Sequence, residues 1–251
     1  MRRLIKTTLR HTFNNPFLNT LLVACRVDSW YANFHHQWKS RRYNPTKSLQ
    51  ENVGLSHRED VEEAIRRVHD RLLSVAQSTL APNDRVLDIG SGTGLVAKKM
   101  ALRYRVTGVD ISEELTAVAR RENPDVEFHV GDFMTVDVGR DYAMIYSIGM
   151  LMYIPPGQLS PFFSRVHDLL RPGGIFFLQY THALRWLDLW YPNISYIKYS
   201  PHKIERCARR FFLIDEHHHS FWPEKTVRFY DRDPFPKDSF VNGYLLVARK
   251  V

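Results

Sequence analysis

The residues best equipped for chemistry sit between positions 86 and 133. Val86-Leu87-Asp88-Ile89 is an apolar run with a carboxylate set into it. Gly90, Gly92 and Gly94 follow at alternate positions, with Ser91 and Thr93 between them, and helix formers take over from Leu95 to Ala101. This order describes a buried strand, a tight glycine turn and a helix N-terminus. In that geometry the backbone can approach a nucleotide-like ligand closely, because no Cβ stands in the way. Spacing then separates two ligands. A dinucleotide turn reads G-x-G-x-x-G, with its third glycine three after the second. Here Leu95 fills that place.

Further segments follow in order. Arg105–Asp110 reads as a second strand ending in an acid, twenty residues past Gly90, and Val126–Phe133 as a third ending in Gly131-Asp132-Phe133. Asp141–Ile148 reads as a fourth strand. Leu169–Gly174, carrying Arg171-Pro172-Gly173-Gly174, leads into a fifth at Ile175–Leu178. Together these motifs over Val86–Leu178 resemble the class I S-adenosylmethionine-dependent methyltransferases, whose first motif looks like D-x-G-x-G-x-G. The resemblance implies S-adenosylmethionine as cofactor and a direct in-line transfer of its methyl group. It places Asp88 near the methionine moiety, with Gly90, Ser91, Gly92 and Gly94 in the turn whose amides receive the methionine carboxylate. Asp110 takes the ribose hydroxyls. Asp132 takes the adenine amino group, with Phe133 and Ile111 packing on the ring. Ser147, near the end of the fourth strand, is also assigned to the cofactor.

A general base is needed only where the acceptor must lose a proton. His35, His36, Tyr31, Tyr153, Tyr180 and His182 are the candidates, and Tyr31 and His182 are the best placed. Lone His and Tyr are commoner as packing or surface groups. His217-His218-His219 beside Asp215-Glu216 invites a metal reading. On a strand, however, only His217 and His219 share a face, and no third or fourth ligand is evident, so no metal is expected.

Composition narrows the classes further. The 251 residues are 44% hydrophobic and 25% charged, ordinary for one soluble globular core with an extension. Cys25 and Cys207 have neither zinc-ligand nor redox spacing, and no apolar run reaches the length of a membrane span. Charge is uneven. Residues 1–50 carry nine basic side chains against Asp28 alone, the whole +8 of the chain, and the remainder is balanced. The neutral body lacks the basic groove a polynucleotide needs, so nucleic acid is not expected as a partner. The basic front suits an anionic partner, a peripheral membrane contact, a targeting peptide or a plain solvated face. The expected location is cytoplasmic, peripheral to a membrane if that contact exists.

The elements that must position these residues follow from periodicity. Residues 1–80 read as a basic segment and helical lid, and 81–251 as the cofactor-binding domain with an aromatic insert at about 180–205. Asn15-Pro16 opens an apolar, aromatic helical stripe over residues 16–38, and Tyr43–Val53 reads as a loop. Ser56-x-x-Glu59 fits a capping box for a helix from about 57 to 80. Ser112 caps a later helix that Asn123-Pro124 stops, and Pro155-Pro156 starts another. Ile204–Arg209 reads as helix, Phe211–Phe221 and Ser239–Ala248 as strands six and seven. The expected fold is α/β: a Rossmann-like, doubly wound, seven-stranded sheet, mostly parallel with the last strand antiparallel, plus an N-terminal helical extension. The expected activity is methyl transfer, O- or C-directed, to a small apolar or aromatic metabolite. A lipid-linked or RNA acceptor, a nicotinamide oxidoreductase and a non-catalytic binding protein are the alternatives.

Overall fold

The computed structural model describes residues 38–55, 57, 59–181, 199–220 and 243–251. The expected lid helix over 16–38 lies outside these residues except for Trp38. Most of the aromatic insert, residues 182–198, lies outside them as well.

Seven strands form one sheet in the order β3-β2-β1-β4-β5-β7-β6. They are β1 (Arg85–Ile89), β2 (Arg105–Asp110), β3 (Glu127–Val130), β4 (Tyr142–Ile148), β5 (Leu170–Thr181), β6 (Phe212–His219) and β7 (Gly243–Lys250). The first five are parallel, and β7 runs antiparallel to both β5 and β6, as the sequence predicts. The central strands are covered on both faces, which is why β1 and β4 read as near-continuous apolar runs rather than alternating ones.

Among the described residues, six α-helices accompany them: α1 (Leu49–Asn52), α2 (Glu59–Thr79), α3 (Leu95–Met100), α4 (Glu113–Glu122), α5 (Leu159–Leu169) and α6 (Pro201–Ala208). On one face, α2 lays Val61, Ile65, Val68, Leu72 and Val75 against Val86, Val106, Met144 and Phe177, with α3 and α4 beside it. On the other, α5 and α6 pack Phe162, Phe163, Val166 and Ile204 against Ile145, Phe176, Leu178 and Leu246. Arg71 of α2 also pairs with Glu216 of β6. Arg171 grips Asp84 with two bonds of 2.9 Å, joining the entrances of β5 and β1.

Two boundaries differ from expectation, and one cannot be checked. The stretch read as a loop over 43–53 contains α1, whose capping box is formed by Ser48 and Glu51. The Ser56-x-x-Glu59 box cannot be placed, since Ser56 lies outside the described residues. In β5, Leu170 pairs with Tyr142 and the next paired residue is Ile175, opposite Met144. Arg171–Gly173 therefore form an exposed bulge within one long strand, not a break before it. Ser112 caps α4 as expected, while α6 begins three residues before the expected Ile204. Ser112 accepts from the Leu115 amide, and Ser200 caps α6 with Pro201 at its first position.

Candidate functional site

A cavity of about 420 Å³ opens at the carboxyl ends of β1, β2, β3 and β4, the edge where parallel sheets of this kind present their ligands. Asp88, Asp110 and Asp132, spread over 45 positions of sequence, all line it. Gly90, Ser91, Gly92, Ile111 and Phe133 line it too. The register explains the convergence: Asp88 lies opposite Gly108, two residues before Asp110, and Asp110 lies opposite Val130, two residues before Asp132.

The glycine turn is built from inside. The amides of Gly90 and Ser91 both donate to the Val109 carbonyl, and that of Gly94 donates to the Ser91 carbonyl. The Gly92 amide donates to Asp110 Oδ2 at 2.9 Å. A side chain at Gly92 is excluded twice, by φ of +52° and by Val53 Cγ1 only 2.7 Å from where a Cβ would sit. These bonds correct one expectation: four of the five turn amides are committed within the protein and cannot all receive a carboxylate. Besides the Thr93 amide, the polar groups left over are the buried hydroxyls of Ser91 and Thr93, neither of which has a hydrogen-bond partner. Such orphans carry a desolvation cost unless a ligand or water meets them.

Asp110 is part of the same scaffold. Its Oδ1 accepts from the Ser112 amide at 2.8 Å while Oδ2 holds Gly92. A carboxylate offers about four acceptor sites, so lone pairs remain for a ligand. Burial pushes its pKa up, and the amide bonds from Ser112, Gly92 and Ile111 oppose that shift. Asp88 is only 4% exposed. Burial raises its pKa to about 7, the charge of Asp110 adds to the shift, and nearby Tyr146 counters it. Tyr146 is the β4 partner of Asp88 in the parallel register. Its hydroxyl is buried without a hydrogen bond of standard geometry, yet it is close enough to favour the carboxylate. His69 of α2 reaches the cavity from behind. Burial and then the charge of Lys99 pull its pKa down to about 4, so it is neutral at pH 7.

Some expected residues stand elsewhere. Ser147 does not line the cavity; it is fully buried, and its hydroxyl donates to the Ile89 carbonyl, tying β4 to β1. Gly94 does not line it either. A Cβ there would meet Asn123 Nδ2 at 2.6 Å, so this glycine serves the packing of α3 on α4. The Phe133 ring packs edge-on to Phe162 at 5.6 Å, with the Arg165 guanidinium over it at 5.2 Å. That ring belongs to the core, although the residue borders the cavity. Tyr31 and His182, the candidate bases, and also His35 and His36, lie outside the described residues. Tyr153 lines the cavity. Tyr180 does not: its hydroxyl lies 2.9 Å from His217 Nε2, whose other nitrogen faces Glu205 at 3.4 Å. His218 points to the opposite face, toward Glu216. The triple histidine is thus spent on strand packing among groups of both signs, and no metal-binding cluster of three or more such residues occurs among the described residues.

Several lining residues escaped the sequence: Thr93, His69, Arg41, Met150 and Met152. Only Thr93 carried a signal, its place inside the glycine turn. Trp38, the last residue of the expected lid stripe, does reach the cavity and meets Tyr153 edge-on at 5.5 Å.

Known proteins resemble this chain over the same stretch. Residues 86–174 match the family model of the methyltransferase domain. Over Val86–Gly174 the chain is thus similar in sequence to a methyltransferase domain. The chain is 39% identical over 104 residues to the cyclopropane-fatty-acyl-phospholipid synthase of Escherichia coli (strain K12), a match covering 40% of this chain and 27% of that protein. It is 32% identical over 133 residues to sphingolipid C9-methyltransferase 2 of Gibberella zeae, covering 48% and 25% respectively. The chain therefore spans about a quarter of the length of these relatives. In three dimensions it is similar to the N-methyltransferase NodS of Bradyrhizobium japonicum WM9 in complex with S-adenosyl-L-homocysteine. There the TM-score is 0.59 at 15% identity, over 80% of this chain and 96% of that one.

Proposed function

We propose that this protein transfers a methyl group from S-adenosylmethionine to a small, largely apolar acceptor. The observation that carries the reading is the convergence of three strand-end acids and two unpartnered hydroxyls on one cavity. Its size falls in the range of roughly 300–1,000 Å³ common for small-molecule sites. When bound, the donor supplies a methyl group on a positively charged sulfur, which leaves as a neutral thioether.

The chain's own part is to bind, orient and exclude water. Asp110 is the residue for the ribose hydroxyls, since it lines the cavity and its position is fixed by the Gly92 and Ser112 amides. Asp132, with Ile111 alongside, borders the place for the adenine. Ser91 and Thr93 offer hydroxyls to the methionine carboxylate, and Asp88 is the counter-charge for the ammonium group. A carboxyl with a pKa of about 7 ionises readily when a cation arrives, so binding a positive ligand draws the proton off it. The wall of Trp38, Met150, Met152, Tyr153 and Ile154 is mostly apolar and belongs to the acceptor.

A lipid-linked acceptor is the second reading. Two of the relatives named above are lipid-modifying by name, and the excess positive charge of residues 1–50 suits an anionic surface. No helix among the described residues is long and apolar enough to cross a membrane, so such contact would be peripheral. Incubating the protein with a deuteromethyl-labelled donor and separated polar and lipid extracts, followed by mass spectrometry, tests both. A labelled product in the polar extract supports the first reading, and one in the lipid extract the second. No labelled product in either, with folded protein, overturns the proposed activity.

A further inference from the structure

Arg41 brings a positive charge to the mouth of the cavity. It borders the cavity, is half-buried, and lies over the Trp38 ring at 4.2 Å. Trp38 in turn meets Tyr153, on the turn after β4. Among the described residues, no carboxylate pairs with the guanidinium and no acceptor hydrogen-bonds to its side chain. Burial penalises its charged form, and only Tyr153 offsets this. Elsewhere among the described residues, Arg71, half-buried like Arg41, is matched to Glu216, and the more exposed Arg171 and Arg249 are matched to Asp84 and Asp215.

An arginine always carries its charge, and its planar fork of N–H donors fits carboxylate and phosphate oxygens in pairs. Contact with the Trp38 ring holds the guanidinium in place, and among the described residues no acceptor engages its N–H groups. The donor's own anionic end is already provided for at the glycine turn, by Ser91 and Thr93. Arg41 belongs instead to the aromatic wall of Trp38 and Tyr153. We propose that Arg41 selects acceptors carrying an anionic oxygen group, a carboxylate or a phosphate, joined to an apolar or aromatic body that lies against Trp38, Met150 and Tyr153. This inference rests on the methyltransferase reading and narrows its acceptor class.

The test is calorimetric titration of the full chain, first saturated with S-adenosylhomocysteine, using matched probes: benzoate against benzamide, octanoate against octanamide, and phenyl phosphate. In the wild type at least one anion of the set should bind about tenfold or more tighter than its neutral counterpart. The stronger of the benzoate and phenyl phosphate signals identifies the head group. Arg41→Met should abolish the preference, and Arg41→Lys should keep part of it and confirm that the fold tolerates change at this position. Loss of preference in Arg41→Met with unchanged homocysteine-product affinity supports the assignment. The inference is overturned if the wild type shows no preference, if Arg41→Met retains it, or if Arg41→Met weakens S-adenosylhomocysteine itself tenfold, since the guanidinium then serves the donor's carboxylate. If S-adenosylhomocysteine does not bind the wild type at all, the methyltransferase reading fails. The same probes, run on the free protein, then judge Arg41 separately.

Discussion

Replacing Asp88 with Asn should make the free protein more stable and its donor binding worse. Asp88 is buried at the end of β1 with a pKa of about 7, against 3.8 for an ordinary aspartate. Because the folded-state value is raised, the folded protein binds more protons than the unfolded chain between those limits. The contribution of this group to stability is therefore most favourable below about pH 4, declines as pH rises toward 7, and is flat above. A shift of roughly three pH units corresponds to at most about 4 kcal/mol. An amide of the same shape has no charge to bury. The Asp88→Asn protein should thus gain on the wild type steadily across that range, by up to about 4 kcal/mol at pH 8. Urea unfolding of both proteins at half-unit steps from pH 5 to 8 measures the difference, in which all other titrations common to the two proteins cancel. Donor binding should move the opposite way. S-adenosylhomocysteine affinity of the wild type should rise with pH toward 7, as the carboxylate becomes available for the ammonium group. That of Asp88→Asn should be weak and pH-independent. A stability difference constant with pH would refute the burial argument; equal affinities would refute the assigned role.

Other consequences can be checked on the same footing. Gly92→Ala should abolish most donor binding, because a Cβ at φ of +52° stands 2.7 Å from Val53 Cγ1 and moves the turn; unchanged affinity by calorimetry contradicts this. Leu72→Ala removes a fully buried side chain from the contact of α2 with the sheet. It should cost about 2–5 kcal/mol in urea unfolding and leave donor affinity intact at temperatures where the protein is folded. Tyr180→Phe deletes the bond to His217 Nε2. It should cost about 1 kcal/mol without altering donor affinity, and a change in that affinity would place Tyr180 closer to the site than the cavity lining does.

Much of this architecture is legible in the sequence because buried parallel strands must be apolar and must end where the glycines and acids begin. Asp88, Asp110 and Asp132 could be lined up from that rule alone, and the parallel register delivers them to one edge. What the sequence hid depends on which way a side chain faces. Ser147 sits one residue from the cavity-lining Ile148, but the strand pleat turns its hydroxyl onto Ile89. Gly94 looks like a third ligand-facing glycine and is held by Asn123 and Phe128 of a neighbouring helix and strand. Two capping-box patterns, at Ser48 and Ser56, are equally readable; the one at Ser48 closes a four-residue helix too short to leave a periodic trace. Arg41 and His69 reach the cavity only because α2 and the segment before it pack over the sheet edge, a placement no local pattern encodes.

The most direct trial of the whole account is calorimetry of the intact chain with S-adenosylhomocysteine, set beside Asp110→Ala. The wild type should bind one equivalent saturably. The variant, lacking both the ribose contacts and the anchor of the Gly92 amide, should bind about a hundredfold more weakly or less. Equal binding by the two proteins, or no heat from wild type whose folding is verified by circular dichroism, would contradict it.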